Sequence, residues 1–379
     1  MKKTIIILVM MAVCLVFLVI CAIKLSEAPP VDTTTEAVLQ STAPSTSAPA
    51  ETSLPTQPPT EPEPTAPYVH PLTGEPAYEQ MTARPFAVSL NNYESGMPLH
   101  GVSEADILYE ALTEGGWTRC MGIFSDLASV NTLGSIRSAR RHFVDLAISY
   151  DAVYVHFGRS TGNVGAEEYM KETGWNHIDG IDKDYAYFYE SKDRINNGYD
   201  WDACHFLVGQ RAIACAQHHG FALSRETPYD FGLKFDEENP ITGDTANKLT
   251  VWFNESGKPS KWHKYTRFTY DEASKTYQSY QYGKDNIDGN TGEIISFRNV
   301  LALHTPTKKN TTSNHVIITL VGKGTGYFAC NGQVIPIKWS RDSVYDPFTY
   351  TLEDGTPLTL GVGKTYIGII PTKATVEWE

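Results

Sequence analysis

Glu110, Glu114, Arg119, Arg137, Arg140 and Arg141 fall within 32 residues of one another, among apolar runs. Arginine presents a planar fork of donors that matches carboxylate and phosphate. Arg137 and Arg140 are three apart, so on a helix they would share one face. The serines around them predict a helix starting near Ser135 or Ser138, with a serine as its N-cap. Cations there oppose the helix dipole unless an anion sits between them. Free N–H groups, Ser135, Ser138 and the two arginines would then make a phosphate or carboxylate site. The competing reading is structural: the arginines pair with Glu110, Glu114 or Asp145. Arg119 shares a strand face with Trp117 and Met121. Buried there it needs a partner, and Glu110 across the hairpin is the expected one.

Other groups could do chemistry. Glu110 and Glu114 could act as paired acids on a glycan. His156 ends an apolar run before Gly158-Arg159-Ser160-Thr161, and His205 follows a mostly polar run. Each reads either as a site residue or as a satisfied core histidine. Ser138 or Ser160 with a histidine would make a hydrolase dyad, but no nucleophile-elbow motif supports one. Asp179, Asp182 and Asp184 follow no calcium-loop pattern and read as solvated loop acids. No paired metal-ligand spacing appears, so no metal and no cofactor are expected. Cys120, Cys204, Cys215 and Cys330 read as two disulfides or as buried thiols.

The elements that must position these groups alternate at first. Phe86–Asn91 predicts a strand, 107–113 and 117–124 a hairpin around Glu114-Gly115-Gly116, and 152–157 a buried strand. Residues 162–172 and 206–219 look helical. Beyond a soft boundary near 245 the pattern is strand-rich, with turns such as Asn331-Gly332. The expected fold class is α+β. An N-terminal α/β domain with a mixed sheet spans 80–222, and a β-rich C-terminal domain spans 245–372. The two could complete one sheet.

The 379-residue chain carries a net charge of −13, unevenly spread. Residues 1–25 carry +3, residues 26–67 carry −6, and residues 68–379 carry −10. Lys2 and Lys3 precede an apolar run of 19 residues from Ile5 to Ile23. That length suits a membrane-spanning helix, and the flanking charges put the N-terminus in the cytoplasm. Residues 1–25 are thus expected to be a signal anchor; lipidation at Cys21 is the alternative. Residues 26–67 hold ten prolines, nine threonines and five serines, a disordered linker. Fully extended it would reach about 130 Å. The acidic remainder argues against a nucleic-acid partner.

On its motifs the chain resembles the YerB-like lipoproteins, a bacterial family defined as a domain of unknown function. Those motifs are Arg84-Pro-Phe-Ala-Val, Ala105-Asp-Ile-Leu-Tyr-Glu110, Glu114-Gly-Gly-Trp-Thr-Arg119 and Gly134-Ser-Ile-Arg-Ser-Ala-Arg140. Arg298-Asn299-Val300, Gly332, Trp339 and Gly363-Lys-Thr-Tyr366 extend the resemblance over about 80 to 370. It implies an α/β part followed by a β-rich part and no established activity. Two positions depart from it. Ala203-Cys204-His205-Phe206 stands where the family usually has Pro-His-Asn, and Ile20 precedes Cys21.

The expected function is a membrane-anchored extracytoplasmic protein that binds an anionic or polar cell-envelope ligand. The expected ligand residues are Arg119, Arg137, Ser138, Arg140, Glu110, Glu114, His156 and His205. The alternatives are a hydrolase acting on wall glycan or peptide, and a protein-interaction module.

Overall fold

Long apolar runs without polar alternation call for strands buried on both faces, and four such runs form the middle of one sheet. Phe86–Leu90, Ile107–Leu112, Thr118–Phe124 and Thr365–Pro371 are buried at every position. The computed structural model describes residues 66–238, 241–255, 260 and 263–379. The expected anchor at 5–23 and nearly all of the linker lie outside the described residues. No described helix is long and apolar enough to cross a membrane.

The large sheet has eleven strands. Its order runs Asp244–Thr245, Gln333–Arg341, Gly322–Cys330, Asn299–Thr305, Thr365–Pro371, Ile107–Leu112, Thr118–Phe124, Phe86–Leu90, Val153–His156, His177–Asp179. Thr349–Thr351 pairs beside Gln333–Arg341. Thr365–Pro371 lies parallel to both Asn299–Thr305 and Ile107–Leu112. A strand near the C-terminus therefore joins the expected α/β and β-rich parts into one sheet. The described residues form one compact unit.

One face packs on the helices Arg141–Ser149 and Ala166–Thr173, through Tyr109, Met121, Phe143, Leu146 and Met170. The other face packs on a six-stranded sheet and on the helix Gly209–His218. The smaller sheet comprises Lys284–Asp285, Thr276–Gln281, Tyr265–Asp271, Lys248–Trp252 and Val376–Trp378 in order, with Ser296–Phe297 beside Thr276–Gln281. The architecture is α+β and dominated by strands.

The predicted hairpin forms, but its register overturns the expected Glu110–Arg119 pair. Glu110 stands opposite Cys120, and Arg119 stands opposite Ala111. Side chains alternate along a strand, so the two charges point to opposite faces. Glu110 faces the smaller sheet and meets Lys264 at 3.0 Å. Asn92, Thr118, Thr266 and Tyr366 each donate to its carboxylate at 2.7–2.9 Å.

The helix start differs too. The helix is Arg141–Ser149, with Arg140 at its N-cap and no side-chain cap. Ser135 to Arg140 is spent otherwise. Ile136 N–H donates to the His205 carbonyl, Arg137 N–H to the Ser89 carbonyl and Ala139 N–H to the Gly158 carbonyl. Backbone bound in this way cannot wind into a helical turn. Cys120, Cys204, Cys215 and Cys330 are buried thiols, and none of them is in a disulfide.

Removing one member of a buried ion pair leaves the other charge unpaired, at about 3–5 kcal/mol. Glu110→Ala is expected to lower unfolding stability by that order, and Glu110→Ala with Lys264→Met by distinctly less. Urea denaturation of the three proteins checks this. A Glu110→Ala protein as stable as the parent overturns the structural role of the pair.

Candidate functional site

The arginines of the motif region gather on the helix-facing side of the hairpin, in three different states. Arg119 is buried, and its Nη1 donates to the Ser138 carbonyl. Among the described residues no carboxylate lies within ion-pair distance of it. Burial, then Arg140 and Arg137, draw its pKa down to about 9, so it stays charged at neutral pH. Arg140 is clamped by Glu114, its Nε 2.9 Å from both carboxylate oxygens and its Nη2 2.7 Å from Oε2. Its Nη1 donates to the Ala139 and Ser138 carbonyls. Burial would raise the Glu114 pKa, but hydrogen bonds and charge from Arg140 outweigh it and leave it lowered. Arg137 pairs with the Asp202 carboxylate and lies over the Tyr93 ring at 5.2 Å. Its Nε is buried with no acceptor.

The structure thus brings Arg119, Arg137, Ser138, Arg140 and Glu114 together, and leaves Glu110 on the opposite face. Ser138 is half-buried, and its carbonyl, not its hydroxyl, serves the cluster. Sequence reasoning missed His142, in the first turn of the helix. It is buried, and neither ring nitrogen has a partner. Burial, followed by Arg140, holds its pKa down at about 3. Its signal was weak: one histidine beside three arginines, on a helix whose start was misplaced.

The cluster reaches the surface through aromatic residues. Tyr93 and Trp117 meet at 5.4 Å between ring centroids, and Trp117 is 47% exposed. Both line an open groove of about 780 Å³ with Glu94, Tyr199, Asp200 and Lys284. Trp201, also exposed, precedes the Asp202 that holds Arg137. The Glu114-Gly115-Gly116 turn sets up this rim. Gly115 and Gly116 take φ of 75° and 80°, left-handed values that glycine adopts without strain, and deliver Trp117 beside Tyr93.

The histidines lie deeper. His156 is fully buried; its Nδ1 donates to the Gly158 carbonyl at 2.8 Å, and its Nε2 lies 3.1 Å from His177 Nδ1. Burial lowers its pKa to about 4 despite nearby Asp179. Both ring nitrogens are used inside the fold. His205 stacks on Phe157 at 3.8 Å, with Nε2 3.5 Å from Glu190. The expected solvated acids are corrected as well: Asp179 and Asp184 are buried, and only Asp182 of the three is exposed. Asp179 accepts from the Gly158 and Ile181 N–H groups and pairs with Arg159. A chain turn that must satisfy buried N–H groups draws carboxylates inward.

Two family models match the chain. Residues 72–201 match "Protein of unknown function (DUF3048) N-terminal domain", and residues 258–367 match the DUF3048 C-terminal domain. The chain is 28% identical over 312 residues to "Putative lipoprotein YerB" of Bacillus subtilis, covering 79% of this chain and 86% of that protein. A crystal structure of the YerB protein from Bacillus subtilis superposes with a TM-score of 0.70 at 26% identity. That match covers 82% of this chain and 99% of the other.

Folded and unfolded chains differ in proton uptake at His142, whose pKa is about 3 in the fold and about 6.5 in an open chain. Between those values the unfolded chain binds the extra proton, so His142 costs stability as pH falls through that window. His142→Phe is expected to fold, with a shallower loss of stability from pH 7.5 to 5.0 than the parent. Urea denaturation at the two pH values measures this, and parallel losses in both proteins overturn it.

Proposed function

The chain belongs to the family of the DUF3048 N- and C-terminal domains, and from that premise we propose that it is a membrane-attached extracytoplasmic binding protein for a polar cell-envelope glycan. The observation that carries this reading is exposed Trp117 beside half-buried Tyr93, whose ring lies against Arg137, both aromatics lining the groove. Exposed aromatic faces rimmed by polar groups mark binding surfaces. A sugar ring offers an apolar face to such a platform and hydroxyls to its rim. Lys284 lines the groove together with Glu94 and Asp200, so the groove mixes both signs. That mixture suits a neutral or zwitterionic glycan better than a polyanion. The charge that the sequence reading assigned to the ligand is supplied at Arg137 and Arg140 by Asp202 and Glu114.

The lipoprotein name of the Bacillus subtilis relative supports attachment to the outer face of the membrane. In this chain the attachment would run through residues 5–23, with Cys21 as the lipidated alternative. The Pro/Thr/Ser-rich linker would lift the binding unit into the envelope.

Purified envelope glycan fragments, titrated calorimetrically into the protein, test the reading. Trp117→Ala is expected to weaken binding at least about tenfold, as the loss of an aromatic anchor does. Arg137→Ala is expected to weaken it as well, through the loss of support under Tyr93. A parent protein that binds no fragment, or two variants that bind as tightly as the parent, would sink it.

A further inference from the structure

We propose that Asp184, Cys215 and His219 form a zinc site that ties the helix Gly209–His218 to the loop after the strand His177–Asp179. Their ligand atoms all lie within 4.8 Å of one another. Cys215 and His219 are four residues apart across the last helical turn and its C-cap, so they share one face. Asp184 arrives from the other element, just before the turn Tyr185–Tyr187. Its Oδ1 meets His219 Nε2 at 2.7 Å.

The donor set decides the metal class. One thiolate, one imidazole and one carboxylate suit zinc, whereas calcium and magnesium take oxygen ligands. Zinc bonds of about 2.0–2.3 Å in a tetrahedron hold ligand atoms roughly 3.3–3.7 Å apart. The 2.7 Å contact therefore opens by about 0.6 Å, and any separation near 4.8 Å closes by about an ångström. Small side-chain rotations achieve both. The surroundings already orient one ligand. The second oxygen of Asp184 accepts the Asp179 N–H at 3.0 Å, an outer-shell bond that fixes the carboxylate.

Charge and access also fit. Asp184 and Cys215 are buried, while the His219 side chain keeps 15% of its surface exposed. The ion would enter on the histidine side, and water would complete the fourth position there. Binding displaces the thiol proton of Cys215 to solvent, and no electron moves. Zn²⁺ with one carboxylate, one thiolate, a neutral imidazole and water sums to zero charge, which a buried site tolerates. The site uses none of the groove residues, so it stands or falls apart from the glycan reading.

The test uses the full-length protein purified in detergent, stripped with a chelator and dialysed against zinc or cobalt. One metal per chain is expected, with a thiolate-to-cobalt charge-transfer band in the near ultraviolet. Cys215→Ala should abolish that band, and His219→Gln should lose stoichiometric zinc. Cys330→Ala, on the far strand Gly322–Cys330, should keep both. His219 is partly exposed, so its variant tests the site even where Cys215→Ala fails to fold. A parent that takes up no zinc, shows no thiolate band, or loses neither with the two ligand variants overturns the proposal.

Discussion

One carboxylate at the centre of the sandwich sets the terms for the rest of the fold. Glu110 lies between the two sheets, where an uncompensated charge would cost several kcal/mol. Its compensation comes from several segments: Asn92, Thr118 on the partner strand of the hairpin, Lys264 just before the strand Tyr265–Asp271, Thr266 in that strand, and Tyr366 in Thr365–Pro371. Lys264 is itself committed, donating to the Tyr265 carbonyl, Thr266 Oγ1 and Gln281 Oε1. A one-residue slip of the hairpin would turn Glu110 toward the helices and carry Arg119 into the sandwich. The polar network therefore specifies register, where an all-apolar interface would tolerate alternatives. A carboxylate so enclosed is poorly placed for acid–base work on a glycan, and the hydrolase reading loses one of its two acids. Arg140 engages the other, Glu114.

The same alternation explains the second face. Arg119 is fixed there by the register that fixes Glu110. It is compensated by a backbone carbonyl rather than a carboxylate, because Glu114 is taken by Arg140 and Asp202 by Arg137. Three cations share a small volume, and burial first, then repulsion from Arg140 and Arg137, lowers the Arg119 pKa. Each bidentate or stacked contact removes freedom from the segment Gly134–Arg140, whose backbone is also pinned to Ser89, Gly158 and His205. The result is a stiff support under Tyr93 and Trp117.

Much of the scaffold was legible in the sequence because it depends on local pattern. The strands Phe86–Leu90, Lys248–Trp252 and Thr365–Pro371 follow from apolar runs and bounding turns, and the hairpin from its Gly-Gly punctuation. The split into Ser296–Phe297 and Asn299–Thr305 was not legible, since the first pairs into the smaller sheet and the second into the large one. The segment from Ser135 to Arg140 has the composition of a capped helix start. Its hydrogen bonds to three remote strands and loops override that propensity. The arginine cluster was found by type and spacing, but its electrostatic state was not. Whether an arginine is free depends on Asp202 and Glu114, whose approach is decided by register and loop path. His142 and the Asp184–Cys215–His219 trio were missed for the same reason: no local spacing tells which side chains a fold leaves without partners, or which it brings within 4.8 Å.

A division of labour between depth and rim follows from these constraints. The deep charges are satisfied by the protein itself: Glu110 by five donors, Asp179 by Arg159 and two N–H groups, Arg140 by Glu114 and backbone. Groups already saturated inside a low-dielectric interior have little to offer a ligand, since each new contact must first break an old one. The groups with unspent capacity lie nearer the surface. Trp117 keeps half of one large ring in water, and Trp201 does the same nearby. Arg137 holds a buried Nε without an acceptor directly beneath the rim. Under the proposed function, recognition would fall to the aromatic edge, with the arginine cluster as the base that presents it. On this argument affinity should follow aromatic area at the rim, while the charged layer beneath sets the angle at which that area meets its ligand.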